Sequence, residues 1–206
     1  MVSTILAHDL LWGLTPAQLP VDAPLWTVEA MALGQPVVVR RASCAAGQVP
    51  VGIRGALREQ RFATQMPIDA IQRRVRPEDV CVVRSDRDLP ALHALAHLRP
   101  MLDACGWAWG ISGSAGFELA SGCAALHARS DLDLILRTPQ PLARTEARAL
   151  LAHLDAAPCP VDLQLQTPYG AIALREWAGP ARRVLLKSAE QACLVIDPWN
   201  PQEQAA

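Results

Sequence analysis

The chain has 206 residues, of which 51% are hydrophobic and 19% are charged, so it is long enough to bury a core and is not expected to be disordered. Its formal net charge of -1 at pH 7 gives no overall electrostatic reason to bind nucleic acid or an anionic membrane. The six cysteines form no Cys-x-x-Cys pair and no apolar run could span a membrane, which predicts a cytoplasmic protein without a zinc site.

The first part of the chain predicts a small β-rich domain over residues 1–88. Between Pro16 and Pro50, prolines recur between short apolar runs such as residues 37–39, a pattern typical of short strands and turns. Residues 80–84 form a further strand-like run. We therefore expect a small sheet with short connections in this part of the chain.

The second part, residues 89–206, predicts an α/β domain. A helical pattern with leucines at helical spacing precedes a strand-like run at residues 107–111, a turn of small residues and a second strand over 130–136. A helix over 141–154 and a third, alternating strand over 161–166 follow. This order predicts a mixed sheet with flanking helices, the α+β form of an α/β layered fold.

Two aspartates and a small-residue turn carry the chemistry that the sequence indicates. Asp131 and Asp133 are two residues apart in a predicted strand, so both project from one face. Neighbouring carboxylates repel unless a cation lies between them, and oxygen ligands suit Mg2+ or Mn2+ completed by substrate phosphates. The Gly113-Ser114 turn offers N–H groups and a hydroxyl to a terminal phosphate. We expect adjacent metal and phosphate sites; a solvated strand edge is the alternative for an isolated Asp-x-Asp pair.

Three other residues are considered beside this constellation. Asp162 lies on the outward side of the next predicted strand, where it would complete the metal site or act as base for an attacking hydroxyl. An ordinary exposed strand aspartate is the alternative. Glu118 is interpreted as a capping or supporting residue rather than a ligand. His8 has no partner in the sequence and is left unassigned.

The Gly-Ser turn, the Asp-x-Asp strand and the later strand carboxylate resemble the polymerase-β-type nucleotidyltransferases. A narrower resemblance is carried by Gly-Ser-Ala-Gly-Phe-Glu-Leu-Ala-Ser-Gly at 113–122 and Ser-Asp-Leu-Asp-Leu at 130–134. It also includes His-Asp-Leu-Leu-Trp at 8–12 and Val-Gly-Ile-Arg-Gly-x-x-Arg-x-x-Arg at 51–61. Over most of its length the chain is similar to the phosphoribosyl-dephospho-CoA transferases of malonate decarboxylase, also called its holo-acyl-carrier-protein synthases.

This resemblance implies a nucleotidyltransferase-like fold and a specific reaction. Members of the family join 2'-(5''-triphosphoribosyl)-3'-dephospho-CoA to a serine of the apo acyl-carrier subunit through a phosphodiester and release pyrophosphate. The resemblance implies that Asp131 and Asp133 hold Mg2+ against the triphosphate, and that Ser114 and the Gly113 backbone hold the leaving pyrophosphate. It gives Asp162 the role of activating the carrier serine.

Four basic residues are further candidates for substrate binding. If residues 55–64 are helical, Arg54, Arg58 and Arg61 share one face and form an anion-binding row for CoA phosphates or for an acidic carrier protein. Lys187, in an apolar strand-like run, could reach a phosphate. The alternatives are a solvated helix face for the arginines and an ordinary edge-strand lysine for Lys187.

Two other classes of function remain open from the sequence. The first is a nucleotidyltransferase that uses an ordinary nucleoside triphosphate on a small molecule or a protein. The second is a non-catalytic binding protein on the same fold. The presence of both Asp131 and Asp133 favours an enzyme, because a binding protein has no need of two adjacent carboxylates at a phosphate site.

Overall fold

The computed structural model describes residues 4–57 and 59–201, which form two sheets, each with its own hydrophobic core. The strands of the first sheet are β1 (Leu10–Trp12), β2 (Val37–Val39), β3 (Gln48–Arg54), β4 (Arg61–Pro67) and β5 (Arg73–Val75). Their order is β4-β3-β2-β1-β5 and all neighbouring pairs are antiparallel. Helix α1 (Leu25–Ala32) packs against β3. The β-rich first part that the sequence predicts is therefore present.

Strands β3 and β4 form a hairpin. The prediction of a helix over residues 55–64 is therefore wrong. Strands β3 and β4 pair along their whole length, with Arg54 opposite Arg61. Alternate residues of β3 point into the core, where Val49, Val51 and Ile53 are buried. Burial of this apolar face favours the strand over a local helix, because it removes apolar surface from water.

The second sheet contains β6 (Ala108–Ile111), β7 (Leu132–Arg137), β8 (Val161–Thr167), β9 (Gly170–Ala173), β10 (Val184–Lys187) and β11 (Ala192–Val195). The order is β11-β10-β9-β8-β7-β6. Strands β7 and β8 are parallel and are joined through α4 (Arg144–Asp155), whereas the other neighbours are antiparallel. The expected mixed sheet with flanking helices is confirmed.

Helices cover one face of the second sheet and the N-terminal unit covers part of the other. Helix α2 (Pro90–Ala104) and α4 contribute to the core that contains Leu132, Leu134 and Leu136 of β7. On the opposite face Ile135 is also fully buried, and Gln166 of β8 accepts a hydrogen bond from Arg41. The N-terminal unit therefore lies on the sheet face that carries Asp133. Two further helices, α3 (Gly113–Ser121) and α5 (Leu174–Ala178), follow β6 and β9.

The passage between the two sheets is a 3-10 segment, Pro77–Val82, which packs against β6. The strand predicted at residues 80–84 is not formed. The side chain of Val80 is buried, but it belongs to the 3-10 segment. The domain boundary predicted after residue 88 falls between this segment and α2. No helix in residues 4–57 and 59–201 is long and apolar enough to cross a membrane.

Candidate active site

A cleft of about 640 Å³ opens between the two sheets. Both halves of the chain line it, the first sheet on one side and the turn before α3 with the start of β7 on the other. Several of the residues predicted from the sequence meet here: Gly113, Ser114, Asp131, Asp133, Arg54 and Arg61. The cleft is therefore the place where the motifs of the two halves can act on one ligand.

The two aspartates face the cleft from the N-terminal end of β7. Asp133 lies in the strand and Asp131 lies one residue before its first residue. Leu132 and Leu134 point the other way, into the core, and are almost completely buried. The alternation of the strand thus separates core side chains from site side chains, as the spacing predicts. The role of the aspartates as metal ligands stays a prediction.

The turn before α3 is packed directly against Asp133. The Ser112 N–H donates to the Asp133 backbone oxygen at 2.9 Å, and Gly113 follows with φ 58°. A Cβ built on Gly113 would lie 1.8 Å from Oδ2 of Asp133. Only glycine fits both this conformation and this distance. The backbone at the start of α3 and the Asp133 carboxylate therefore form one contact surface, with the positive end of the helix dipole beside the carboxylate.

Arg54 reaches this turn from the other side of the cleft. Its Nη2 donates to Ser114 Oγ at 2.8 Å and to the Ala125 backbone oxygen at 3.2 Å, and its guanidinium lies 5.4 Å from the centroid of the Phe117 ring. Burial and then the charge of Arg61 lower the pKa of Arg54, against the opposing effect of the Asp133 charge. A half-buried guanidinium beside a helix start is well placed to bind phosphate.

Glu118 holds the loop between α3 and β7, in agreement with its interpretation as a supporting residue. Its carboxylate accepts hydrogen bonds from the N–H groups of Ala125 and Leu126, at 2.7 and 2.8 Å, and pairs with Arg87 at 2.5 Å. Burial raises the pKa of Glu118, but these backbone bonds and Arg87 together lower it below its usual value. The hydrogen bonds and the ion pair of Glu118 therefore fix the loop that leads to Asp131.

Asp162 neighbours Asp133 in the parallel ladder of β7 and β8, so their Cα atoms are register partners and their side chains share a face. Asp162 is exposed and is not part of the cleft lining. Among the residues that the structure describes, no three His, Cys, Asp or Glu side chains are grouped so as to hold a metal ion. Two carboxylate ligands fit a Mg2+ ion that takes its other ligands from water and a triphosphate.

The remaining predicted residues lie in different places. Arg61 begins β4 and lines the cleft, and its guanidinium donates to the Gln60 backbone oxygen at 2.9 Å. Arg58 lies outside the described residues. Lys187 is exposed at the end of β10 between β9 and β11, and it does not line the cleft. The structure thus brings Arg54 and Arg61 to the aspartates and leaves Lys187 apart from them.

His8, to which the sequence assigns no role, lines the cleft. It has φ 77°, a conformation that side-chain-bearing residues adopt infrequently. Burial, then the charges of Arg41 and Arg137, lower its pKa to about 4, while a hydrogen bond with Gln164 acts the other way. The imidazole is therefore neutral at pH 7. No local sequence pattern predicts that His8 lines the cleft, because the residues that surround it are distant in the sequence.

Arg40 is a second lining residue that no sequence motif indicates. It is exposed at the end of β2, and its side chain lies over Gly52 of β3, where a Cβ would meet its Cδ at 3.4 Å. An arginine in a chain with many arginines gives no local signal of its own.

Two family models match this chain. Residues 6–77 match the phosphoribosyl-dephospho-CoA transferase MdcG N-terminal domain and residues 79–198 match the phosphoribosyl-dephospho-CoA transferase MdcG C-terminal domain. Similar proteins named phosphoribosyl-dephospho-CoA transferase occur in Pseudomonas fluorescens (strain Pf0-1), 66% identical over 100% of both chains, and in Pseudomonas putida (strain W619), 60% identical over 97% of each. No solved structure matches the chain. The chain belongs to the phosphoribosyl-dephospho-CoA transferase family.

Proposed function

We propose that this transferase joins the triphosphoribosyl-dephospho-CoA group to a serine of the apo acyl-carrier subunit of malonate decarboxylase, with release of pyrophosphate. The observation that carries the proposal is the contact between the Gly113 turn and Asp133 inside a cleft lined by arginines. A carboxylate pair beside a helix start suits a metal-bound triphosphate, because cation and N–H groups then neutralise the same anion. The names of the relatives support the choice of the transferred group.

In the proposed reaction, the carrier serine oxygen forms a bond to the α-phosphorus while the bond from that phosphorus to the oxygen of the β-phosphate breaks. Arg54 and the N–H groups at the start of α3 bind the phosphate groups of the substrate that leave as pyrophosphate. Mg2+, or Mn2+, bound by Asp131 and Asp133 would supply charge neutralisation on the triphosphate. Asp162, beside Asp133 in the next strand, is our candidate to accept the serine proton.

The test is mass spectrometry of the apo carrier subunit after incubation with this chain, Mg2+ and triphosphoribosyl-dephospho-CoA. We expect the carrier serine to gain the mass of the substrate less pyrophosphate, with one pyrophosphate released for each carrier. Asp133→Asn should reduce the rate about 1,000-fold or more, because loss of a charged metal ligand disrupts both positioning and charge stabilisation. Asp22→Asn, an exposed aspartate outside the cleft, is the matched control.

Chelation by EDTA should stop transfer, and added Mg2+ should restore it. An unmodified carrier together with ready turnover of ATP or CTP would replace this proposal by the ordinary nucleotidyltransferase. Full activity of Asp133→Asn would refute the metal site while leaving the transfer reaction intact.

A further inference from the structure

A second cleft, of about 900 Å³, lies further along the boundary between the two sheets. Its lining includes Arg41 of the segment after β2, Arg137 at the end of β7 and Gln166 of β8. Arg40 lines both this cleft and the one that contains the aspartates, so the two are neighbours. A ligand that extends from the first cleft past Arg40 would therefore reach the second.

The second cleft has an excess of positive charge. Three arginines line it, whereas its one lining carboxylate, Glu190, is exposed and accepts a hydrogen bond from the Ser188 hydroxyl. Arg137 is paired with Glu78 at 2.6 Å, but no carboxylate in residues 4–57 and 59–201 forms an ion pair with Arg41. The guanidinium of Arg41 instead donates to the neutral Oε1 of Gln166 at 3.1 Å. A partly buried cation with a neutral partner favours the binding of an anion.

Gln166 supplies an independent sign of a ligand. The residue is 8% exposed, and its Nε2 is buried without a hydrogen-bond partner in the described part of the chain. Because the amide oxygen accepts from Arg41, the amide nitrogen must present its hydrogens away from that guanidinium. An unpaired buried donor is costly, and here it adjoins a cation whose hydrogen-bond partner in residues 4–57 and 59–201 is a neutral amide, so the pair favours a polar, anionic acceptor.

Two separate cationic regions along the sheet fit a substrate with two separate anionic groups. Asp133 of the first cleft and Arg137 of the second are both on β7, about 13 Å apart at the rise of a strand. In a triphosphoribosyl-dephospho-CoA, two ribose rings separate the triphosphate from the pyrophosphate of the CoA half. The substrate therefore carries two separate anionic groups, the triphosphate and the pyrophosphate. The chain likewise carries two separate cationic regions.

We propose that the second cleft binds the dephospho-CoA half of the substrate, with Arg41 and the Gln166 amide contacting its pyrophosphate. This inference rests on the proposed function for the identity of the ligand. The apolar residues that line the cleft, such as Ile5, Ile68 and Pro168, provide a surface for the pantetheine arm. Arg40, which lines both clefts, lies where the ribose rings would pass.

The test measures binding of two fragments to the full chain by calorimetry. Dephospho-CoA probes the second cleft, and tripolyphosphate with Mg2+ probes the first. Arg41→Gln should weaken binding of dephospho-CoA about ten-fold or more, because it removes a charge-assisted contact, and should leave tripolyphosphate binding unchanged. Arg183→Gln, which changes an exposed arginine outside both clefts, should bind both fragments as the wild type does.

A second variant guards against misfolding. Gln166→Glu keeps the shape of the side chain and would pair with Arg41, so we expect the variant to fold. The added negative charge would repel the anion. It should weaken dephospho-CoA binding at least as much as Arg41→Gln, with binding of tripolyphosphate and Mg2+ equal in wild type and variant.

The outcomes separate this inference from the proposed function. Wild-type affinity for dephospho-CoA in both variants would overturn the inference even if the carrier protein is modified. Loss of dephospho-CoA binding in both variants would support it even if no carrier is modified, in which case only the proposed function fails.

Discussion

The two walls of the candidate active-site cleft present their groups in different ways. On the C-terminal wall, Gly113 and Asp133 are fixed by backbone: the glycine belongs to a tight turn, and the aspartate belongs to a strand hydrogen-bonded to that turn. On the N-terminal wall, Arg54 reaches the same place with a long side chain from the end of a hairpin strand. The backbone-fixed groups of the C-terminal wall suit the positioning of reacting atoms. The long, charged side chain of Arg54 suits the binding of the phosphate groups that contain those atoms.

The strongest test of this comparison adds a single methyl group to the C-terminal wall. In Gly113→Ala the methyl group would lie 1.8 Å from the Asp133 carboxylate at a φ of 58°, so the turn or the carboxylate must move. We expect kcat for transfer to fall about 100-fold or more, because displacement of a positioning group by about 1 Å has effects of that size. Steady-state kinetics with the carrier protein measures it.

Gly106→Ala is the matched control, since Gly106 has φ 77° but a Cβ there would meet nothing within 4 Å. It carries the same kind of backbone strain without the collision, and it should cost about 1 kcal/mol of stability with little change in kcat. Equal kinetic losses in the two variants would mean that strain, not contact with Asp133, explains the effect.

The N-terminal wall should respond with a smaller effect that falls mainly on substrate binding. Arg54→Gln removes the charge that contacts Ser114, and we expect KM for the triphosphoribosyl substrate to rise about 10-fold to 100-fold, with a lesser change in kcat. The control is Arg183→Gln, an exposed arginine outside the cleft, which should leave KM unchanged. A loss in kcat with unchanged KM would assign Arg54 to the transition state and remove the contrast between the walls.

The smallest effect concerns the pH dependence of stability at His8. The folded pKa of about 4 lies below the unfolded value of 6.5, so the unfolded chain binds more protons between them and stability falls as pH decreases through that window. Relative to His8→Asn, which tolerates the positive φ, the wild type should lose about 1–2 kcal/mol between about pH 7.5 and pH 5. Urea denaturation at the two pH values measures the difference. Parallel pH profiles of the two proteins would show that His8 does not stay neutral in the fold.

The local motifs of the C-terminal wall could be predicted from the sequence, because each depends on short-range geometry. Asp131 and Asp133 lie two residues apart around the start of a strand, and Gly113 begins a helix, so each motif is made of residues that are adjacent in the chain. The arginines were harder to place, because β3 and β4 form a hairpin through pairing that a local helical spacing does not reveal. His8 and Arg41 could not be predicted, since their contacts with β8 depend on how the two sheets pack.

The hydrogen bond between Arg54 and Ser114 also affects the entropy of ligand binding. A free arginine side chain loses rotamer freedom when it closes on a phosphate, and that loss weakens binding. Here the guanidinium is already ordered by Ser114, the Ala125 oxygen and the Phe117 ring before any anion arrives. The ordering occurs when the chain folds, so a phosphate that binds here as proposed would meet a preorganised cation and would retain more of its interaction energy as affinity.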